Sequence, residues 1–230
     1  MKKLLICCCV LLLAAASADA RRKQPSAGYV KDGVFYDVKH EYSFEVHDNW
    51  SDRIRKNKED FRIVLLQENY GIPADYQQAE DYTLVPRMVV YVAETNMGPG
   101  QFVDSLLSPS YDSDQKGEIR REFDMLNKMD IIPKGRQRLT IDGYRTDFWS
   151  GEAPYAQNIS TSASGVGGKR VNRSYMGSII AVKKENKMLL FHIMSEKEFF
   201  NQVSTEATSM VNTLNWGGES DEDSGDEGKS

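Results

Sequence analysis

Residues 85–93 read VPRMVVYVA, and they form the most apolar stretch of the chain outside its N-terminus. The run is rich in β-branched side chains and begins just after Pro86, which is typical of a strand. Polar residues do not alternate with the apolar ones between Met88 and Ala93, so both faces of that strand must be buried. We therefore predict a central strand over residues 88–93, in a sheet that is covered on both sides.

Further strands are predicted on either side of this run, at residues 34–38, 42–46, 61–66, 137–141, 144–149, 175–183 and 188–194. Asp142-Gly143 separates two strands by two residues, which predicts a tight hairpin because these residue types tolerate a positive φ, and a second hairpin is predicted around Glu185-Asn186. The hairpins indicate a mostly antiparallel sheet. The segment 151–172 is rich in Ser, Gly, Ala and Thr, and is predicted to be a long surface loop.

Three helices are predicted, at Pro99–Leu107, Gly117–Met129 and Glu196–Leu214. The last two carry apolar residues every three or four positions, which gives each helix one face to bury. Helices must cover the apolar faces of the sheet, so the predicted fold class is α+β, as an α/β/α sandwich with a mostly antiparallel central sheet.

The N-terminus has the three parts of a secretory signal peptide. Two lysines precede an apolar run from Leu4 to Ala16, and small residues then lead to Ala18-Asp19-Ala20. The run has about 13 residues, whereas a helix needs about 20 to span a bilayer. We predict a signal peptide over residues 1–20, cleavage near Ala20, and export to the periplasm or the medium. An uncleaved anchor is the alternative, and no later segment is apolar for long enough to span a membrane.

All three cysteines lie inside this segment, so the mature chain is expected to form no disulfide and to offer no thiol for catalysis or zinc binding. After it we predict a flexible leader over residues 21–27, one domain over residues 28–216, and a disordered tail over residues 217–230. The tail is predicted to be disordered because it has no apolar residue to bury.

The negative charge of the chain is concentrated in the tail. The formal charge is −5, and loss of Lys2, Lys3 and Asp19 with the signal peptide leaves −6. Residues 219–230 contain six acids and one lysine, which account for −5 of that charge. The body is therefore near neutral, which argues against nucleic-acid binding. The tail is interpreted as a solubilising end, with docking to a basic partner or weak calcium binding as alternatives, although its acids do not fit the EF-hand loop.

Three stretches resemble the fold family that includes the PsbP extrinsic proteins and the Mog-type Ran-binding proteins. Residues 42–50, YSFEVHDNW, resemble its opening strand and turn, with His47 where the family usually has proline. Residues 139–144, LTIDGY, resemble its hairpin, and Phe199-Phe200 with residues 210–214 resemble its closing helix. The resemblance implies a PsbP/Mog-like domain and a scaffold, assembly or binding role. A shared fold alone does not fix a function.

Candidate sites for chemistry are few. His40, His47 and Asp48 flank the second predicted strand, and side chains of these types bind metal ions. The simpler interpretation is that they are ordinary edge residues, because seven residues of extended strand separate the two histidines by about 20 Å. No G-x-S-x-G nucleophile motif is present, and residues 162–170 lack the order of a phosphate-binding loop.

Aromatic side chains suggest a recognition surface. The residues are Tyr70, Tyr76, Tyr82, Trp149 and Tyr155. They are candidates for a groove beside the predicted 151–172 loop, since exposed aromatics near loops often serve recognition. Local packing is the alternative. We expect an exported, non-enzymatic interaction protein with a protein partner and no bound cofactor. The alternative is a ligand- or metal-binding domain, hydrolytic or not, with a site near His40, His47 and Trp50.

Overall fold

A computed structural model describes residues 25–67, 85–108, 113–127, 130–160 and 168–217. The predicted signal peptide, the tail beyond Gly217 and the three tyrosines between residues 68 and 84 lie outside these ranges. The described strands are β1 Gly28–Lys31, β2 Val34–Asp37, β3 Ser43–Glu45, β4 Trp50–Ile54, β5 Phe61–Gln67, β6 Arg87–Glu94, β7 Ile132–Ile141, β8 Tyr144–Ser160, β9 Gly168–Lys184 and β10 Lys187–Glu196. The described helices are α1 Pro99–Leu107, α2 Asp114–Glu122 and α3 Lys197–Val211, with a 3₁₀ turn at Asp124–Asn127.

The strands form two sheets. Seven strands pair in the order β4-β5-β6-β10-β9-β8-β7, and β1-β2-β3 form a separate small sheet. Every pairing between these strands is antiparallel. Asp142 and Gly143 in the β7–β8 turn have φ angles of 48° and 74°, as predicted for a tight hairpin. The α+β class and the mostly antiparallel sheet are confirmed.

The large sheet carries a hydrophobic core on each face. One core joins it to α3, through Phe200 and Val203, and to the small sheet, through Phe35 and Phe44. The other joins it to α1 and α2, through residues such as Phe102 and Ile119. The helices and the small sheet therefore form layers on the two sides of the seven-stranded sheet. The predicted sandwich is confirmed, with the small sheet as an addition to one layer.

The strands at the middle of the sheet serve both cores. In β6, Val90 and Val92 belong to the α3-side core, while Val89 and Tyr91 belong to the α1-side core. β6 lies third in the sheet, beside the central strand β10. The prediction that residues 88–93 are buried on both faces is therefore confirmed.

A buried ion pair joins the small sheet to the large one. Arg62 of β5 and Asp37 of β2 are both fully buried, and Arg62 Nε donates to Asp37 Oδ2 at 2.6 Å. The two terminal guanidinium nitrogens donate to the backbone carbonyls of Ala27, Asn57 and Glu59, and Nη2 also donates to Asp37 Oδ1 at 3.2 Å. Asp37 Oδ1 also accepts from the backbone N–H of Lys39 and His40. Both charges are compensated, so the pair fixes the relative position of the two sheets.

Strands β1 and β4 were not predicted. β4 reads WSDRI and is mostly polar, because it lies at an edge of the large sheet. Trp50, predicted as part of a turn, begins this strand. β1 is a four-residue strand in which a Cβ on Gly28 would lie 2.1 Å from the Tyr36 carbonyl oxygen. Strands this short or polar have too weak a periodicity to be recognised from sequence.

The predicted loop over residues 151–172 is wrong. β8 continues to Ser160 and β9 begins at Gly168, and the two strands are in register from Thr146 opposite Val182 to Ser160 opposite Gly168. Their outer parts are held by backbone hydrogen bonds, which require no apolar side chains. The Ser-, Gly- and Thr-rich composition therefore looked like a loop although it belongs to a long hairpin.

The helices follow the predictions with changes at their ends. α1 has the predicted bounds, and α3 begins and ends slightly inside them. α2 begins earlier than predicted, where the Ser113 side chain accepts from the backbone N–H of Lys116, and it ends at Glu122 because Phe123 leaves the helical conformation. In the described ranges, no helix combines the length and the apolar character needed to cross a membrane.

The predicted flexible leader ends earlier than residue 27. Ser26 forms a bridge with Lys56, and Ala27 is fully buried, with its N–H donating to the carbonyl of Arg55 at 2.7 Å. Residues 21–24 lie outside the described ranges. The packed domain therefore begins about two residues before the predicted boundary at residue 28.

The buried ion pair yields a stability prediction. Arg62→Met keeps the aliphatic stem but leaves Asp37 charged and buried, so we expect a loss of about 3–5 kcal/mol in the free energy of unfolding. Lys39→Met is the matched control, because Lys39 pairs with Asp60 at 3.4 Å with both side chains over 40% exposed. That change should cost about 0–1 kcal/mol. Urea unfolding of both variants measures the difference, and equal losses would contradict the role assigned to the buried pair.

Candidate functional site

β7 is the most exposed of the large-sheet strands whose burial is described from end to end. All nine residues from 132 to 140 are exposed, and only Ile141 at the end of the strand is buried. β7 is the last strand of the sheet and pairs on its inner side with β8. We call residues 132–140 the β7 edge. An edge strand of this length presents backbone N–H and C=O groups that can pair with another extended segment.

The register of the β7–β8 pair shows which side chains share a face. Arg136 lies opposite Trp149, and Trp149 belongs to the α1-side core. Arg138, two residues further along β7, and Arg145, opposite Thr140, lie on the same face by alternation. Three arginines therefore follow one face of the sheet at this edge.

Of these three arginines, Arg136 is held in place by hydrogen bonds. Its Nε donates to both carboxylate oxygens of Asp147 at 3.1 Å, its Nη1 to Asp104 of α1 at 2.6 Å, and its Nη2 to the Gly100 carbonyl at 2.8 Å. These hydrogen bonds to Asp147 and Asp104 raise the pKa of Arg136 above its ordinary value. The side chain thus ties β7 to β8 and to the start of α1.

Arg138 and Arg145 are free to bind a ligand. Both are exposed, and in the ranges that the structure describes no carboxylate lies within ion-pair distance of either. They line a cavity of about 400 Å³ with Leu139, Asp147 and the first residues of α1. The arrangement is a surface of positive charge beside an open sheet edge.

A second charged cluster lies at the other end of the same edge. Glu152 of β8 accepts from Lys134 of β7 and from Lys197 at the start of α3, each at 2.8 Å. These two lysines lower the pKa of Glu152 to about 2. Glu152 is therefore a fixed anion, and a carboxylate with so low a pKa is a poor general base at neutral pH.

A cavity of about 550 Å³ opens next to this cluster, where the long hairpin leaves the sheet. It is lined by Pro154, Asn172, Arg173, Ser174, Glu196, Lys197 and Glu198. Arg173 and Glu196 are both buried and form an ion pair at 3.1 Å. Two of the charged residues that line the cavity are therefore paired with each other.

The histidines predicted as metal ligands lie in different surroundings. His40 is buried beside the Asp37–Arg62 pair, and its burial lowers its pKa to about 4. His47 lies against α3, where its Nε2 is 3.2 Å from Ser209 Oγ. Asp48 is exposed. In the described residues no three His, Cys, Asp or Glu side chains are grouped so that they could hold a metal ion.

Trp50, predicted next to those histidines, is part of a hydrogen-bonded cluster. Its Nε1 donates to Glu206 Oε2 at 3.0 Å, and Asn49 Nδ2 and Gln67 Nε2 donate to the same oxygen at 3.0 and 2.7 Å. Glu206 belongs to α3, so the cluster joins β4 and β5 to that helix. Its arrangement indicates a structural role.

The aromatic residues predicted for recognition are not assembled into a groove. Trp149 is 4% exposed and packs in the α1-side core, so it is not available to a partner. Tyr155 lies in β8, and nothing is described of its side chain. Tyr70, Tyr76 and Tyr82 lie outside the described residues, and their role stays a prediction.

Sequence reasoning missed the β7 edge because it predicted only residues 137–141 as a strand. The signal was present in residues 132–141, IPKGRQRLTI, where basic residues alternate and few apolar residues occur on either face. Such a strand lies at an edge, because a central strand would have to bury those charges.

The sequence and the fold of this chain can be compared with those of known proteins. No family model matches the chain, and no curated protein sequence does so. Among solved structures, the first similarity is to cyanobacterial PsbP (CyanoP) from Synechocystis sp. PCC 6803, with a TM-score of 0.45 and 10% identity over 82% of this chain and 96% of that one.

Two other solved structures are similar in the same way. LpqN of Mycobacterium tuberculosis, described as involved in cell envelope biogenesis, has a TM-score of 0.44 and 10% identity over 76% of this chain and 82% of that one. The Saccharomyces cerevisiae Ran-binding protein Mog1p has a TM-score of 0.36 and 12% identity over 76% and 89%. PsbP and Mog1p are the two kinds of protein that the resemblance stated from sequence named.

A buried histidine makes the stability of this fold depend on pH. His192 is fully buried in β10, stacks on Phe123 at 4.6 Å, and its Nδ1 is 3.2 Å from the Ser178 carbonyl oxygen. Burial, and then the charge of Arg87, lower its pKa to about 3. The unfolded chain therefore binds a proton that the folded chain excludes between pH 6.5 and about 3.

We predict that the free energy of unfolding decreases as the pH falls through this window. A single group that titrates only in the unfolded state gives a slope of up to about 1.4 kcal/mol per pH unit. His192→Phe should remove that part of the slope, as measured by urea unfolding from pH 7 to about pH 4. Phe123→Leu is the control, since it loosens the same contact but keeps the imidazole and hence the slope. Identical slopes in His192→Phe and the unaltered chain would refute the assignment.

Proposed function

We propose that this chain is an exported, non-enzymatic interaction protein that binds an extended, acidic segment of a partner protein along the β7 edge. The observation that carries the proposal is the run of nine exposed residues on a ten-residue edge strand. A partner strand added there would gain main-chain hydrogen bonds, while the side chains of the edge select the partner. The N-terminal sequence supports export.

The charges of the edge support an acidic partner. Arg138 and Arg145 have no ion pair in the described ranges, so a carboxylate placed between them would gain two partners without displacing one. The same arginines oppose pairing with a second copy of the chain, because like charges placed directly opposite each other are destabilising. The edge therefore discriminates by charge as well as by backbone pairing.

The three other ends of the sheets are less suitable for pairing, and β1, at one end of the small sheet, has only four residues. β4, at the opposite end of the large sheet, has only five residues and carries Asp52 beside Arg53. β3, at one end of the small sheet, is occupied by a bridge from Ser43 to Asn215. These contrasts support β7 as the binding edge.

The proposal is tested by affinity capture from the exported fraction, with the chain from Arg21 as bait and mass spectrometry of the retained proteins. When Arg138→Glu and Arg145→Glu are combined, the captured amount of a partner that binds through β7 should fall at least about tenfold, because two attractions become repulsions. Arg53→Glu on β4 is the matched control and should retain it. A partner that is captured equally by all three baits would refute binding at the β7 edge.

A further bait distinguishes binding at the β7 edge from binding at the long hairpin of β8 and β9. Removal of residues 157–171, with Ala156 joined to Asn172 by an Asn-Gly turn, shortens β8 and β9 in register because Ala156 and Asn172 are opposite each other. Capture that survives this deletion but not the arginine substitutions assigns the partner to β7. The alternative function near His40, His47 and Trp50 is favoured instead if the bait contains stoichiometric metal and captures no partner.

A further inference from the structure

The described chain ends beside the turn that joins β7 to β8. The backbone N–H of Trp216 is 3.3 Å from Asp142 Oδ2, and the Tyr144 hydroxyl donates to the Trp216 carbonyl at 3.1 Å. Lys184 Nζ donates to the carbonyls of Trp216 and Gly217. Asp142 lies in the turn and Tyr144 is the first residue of β8. The residues that follow Gly217 therefore start at the end of β7.

The direction and length of the following segment match the edge. β7 runs toward the turn, so a chain that starts at the turn and runs back along β7 is antiparallel to it. Residues 218–230 reach about 43 Å when extended, at about 3.3 Å per residue. The ten residues of β7 span about 33 Å. The segment can therefore reach the whole edge from its attachment point.

The charges of the segment and the edge are complementary. Residues 218–230 contain Glu219, Asp221, Glu222, Asp223, Asp226 and Glu227, and one base, Lys229. Arg138 on the edge and Arg145 beside it on β8 have no acidic partner in the described part of the chain. A tethered segment also acts at a high effective concentration, in the millimolar range for a short connection.

We propose that the acidic segment 218–230 binds in cis along the β7 edge, with its carboxylates against Arg138 and Arg145, and competes there with the partner segment. The inference rests on the proposed function in one respect, namely that both ligands use the same edge. It makes the C-terminal segment a built-in competitor, so that only a partner with better backbone pairing or more charge displaces it.

The composition of the segment fits a competitor that can be displaced. Asp and Gly are poor strand formers, so the segment gains little from pairing with the β7 backbone. Its binding must depend mainly on charge and be screened by salt. The Debye length falls from about 10 Å at 0.1 M to about 3 Å at 1 M salt, which should release the segment.

The test uses amide NMR spectra of two chains that both begin at Arg21, one ending at Ser230 and one at Gly217. If the segment binds in cis, the amide signals of residues 134–141 and 145 should differ between the two chains at about 0.1 M salt and coincide at about 1 M. A synthetic peptide of residues 218–230 added to the shorter chain should shift the same signals. The peptide with Asn and Gln in place of its acids should not.

The variants locate the binding surface. Arg138→Ser with Arg145→Ser should weaken binding of the peptide at least about fivefold, since two exposed ion pairs are lost, while Arg53→Ser on β4 should leave it unchanged. Both arginines are exposed, so the substitutions leave the core intact. Identical spectra of the two chains, or peptide-induced shifts confined to other residues, would overturn the proposal.

The results for binding of the segment and for capture of a partner can be told apart. If the segment binds β7 but no partner is captured, binding of the segment in cis stands, and both the proposed function and the competition fail. If a partner is lost with the arginine substitutions but captured equally by the chains ending at Gly217 and Ser230, the proposed function stands and the competition fails. If both hold, the shorter chain captures more partner than the longer one.

Discussion

The whole architecture depends on one constraint, which is that the central strands of the large sheet are apolar on both faces. β6 and β10 place successive side chains in two different cores, so neither face of the sheet can remain in water. Helices and the small sheet must cover both faces, so exposed charged side chains lie at the edges of the large sheet. This explains why the exposed, charged side chains lie at the β7 margin of the sheet and not over its central strands.

Polar groups between the layers serve this arrangement. Buried Arg62 and Asp37 connect the two sheets, and half-buried Glu206 of α3 accepts hydrogen bonds from β4, from β5 and from Asn49, which immediately precedes β4. Each group replaces water with several fixed partners, which is the condition under which buried charge is tolerated. By contrast, the exposed side chains of Arg138 and Arg145 have no such partners in the described residues, and that difference separates structural charge from charge available for binding.

Much of the fold followed from the sequence wherever side-chain chemistry repeats with the period of a strand or a helix. The run at residues 88–93, the Asp142-Gly143 turn and α1 were all predicted with nearly correct bounds. The outer hairpin at residues 151–172 was not, because backbone pairing holds it and its side chains resemble those of a loop.

The site was harder to predict than the fold. Trp149 was expected at the surface and is in the core, since a lone aromatic in a strand does not reveal which face it occupies. The β7 edge depends on which strand lies last in the sheet, and strand order is a long-range property that no local pattern contains. Nothing in the sequence is a reason to treat His40 and His47 differently, whereas the structure buries His40 beside an ion pair and places His47 against α3.

The pairing of β6 with β10 also has a consequence for how the chain folds. Glu94 lies opposite Lys187, so the two halves of the sheet meet only through residues more than ninety positions apart. Contacts of such long range close late and slowly, because a large loop must be ordered first. The N-terminal half cannot complete its sheet until β10 has been made. The seven-stranded sheet is therefore completed only after the chain has been synthesised beyond β10, which ends at Glu196.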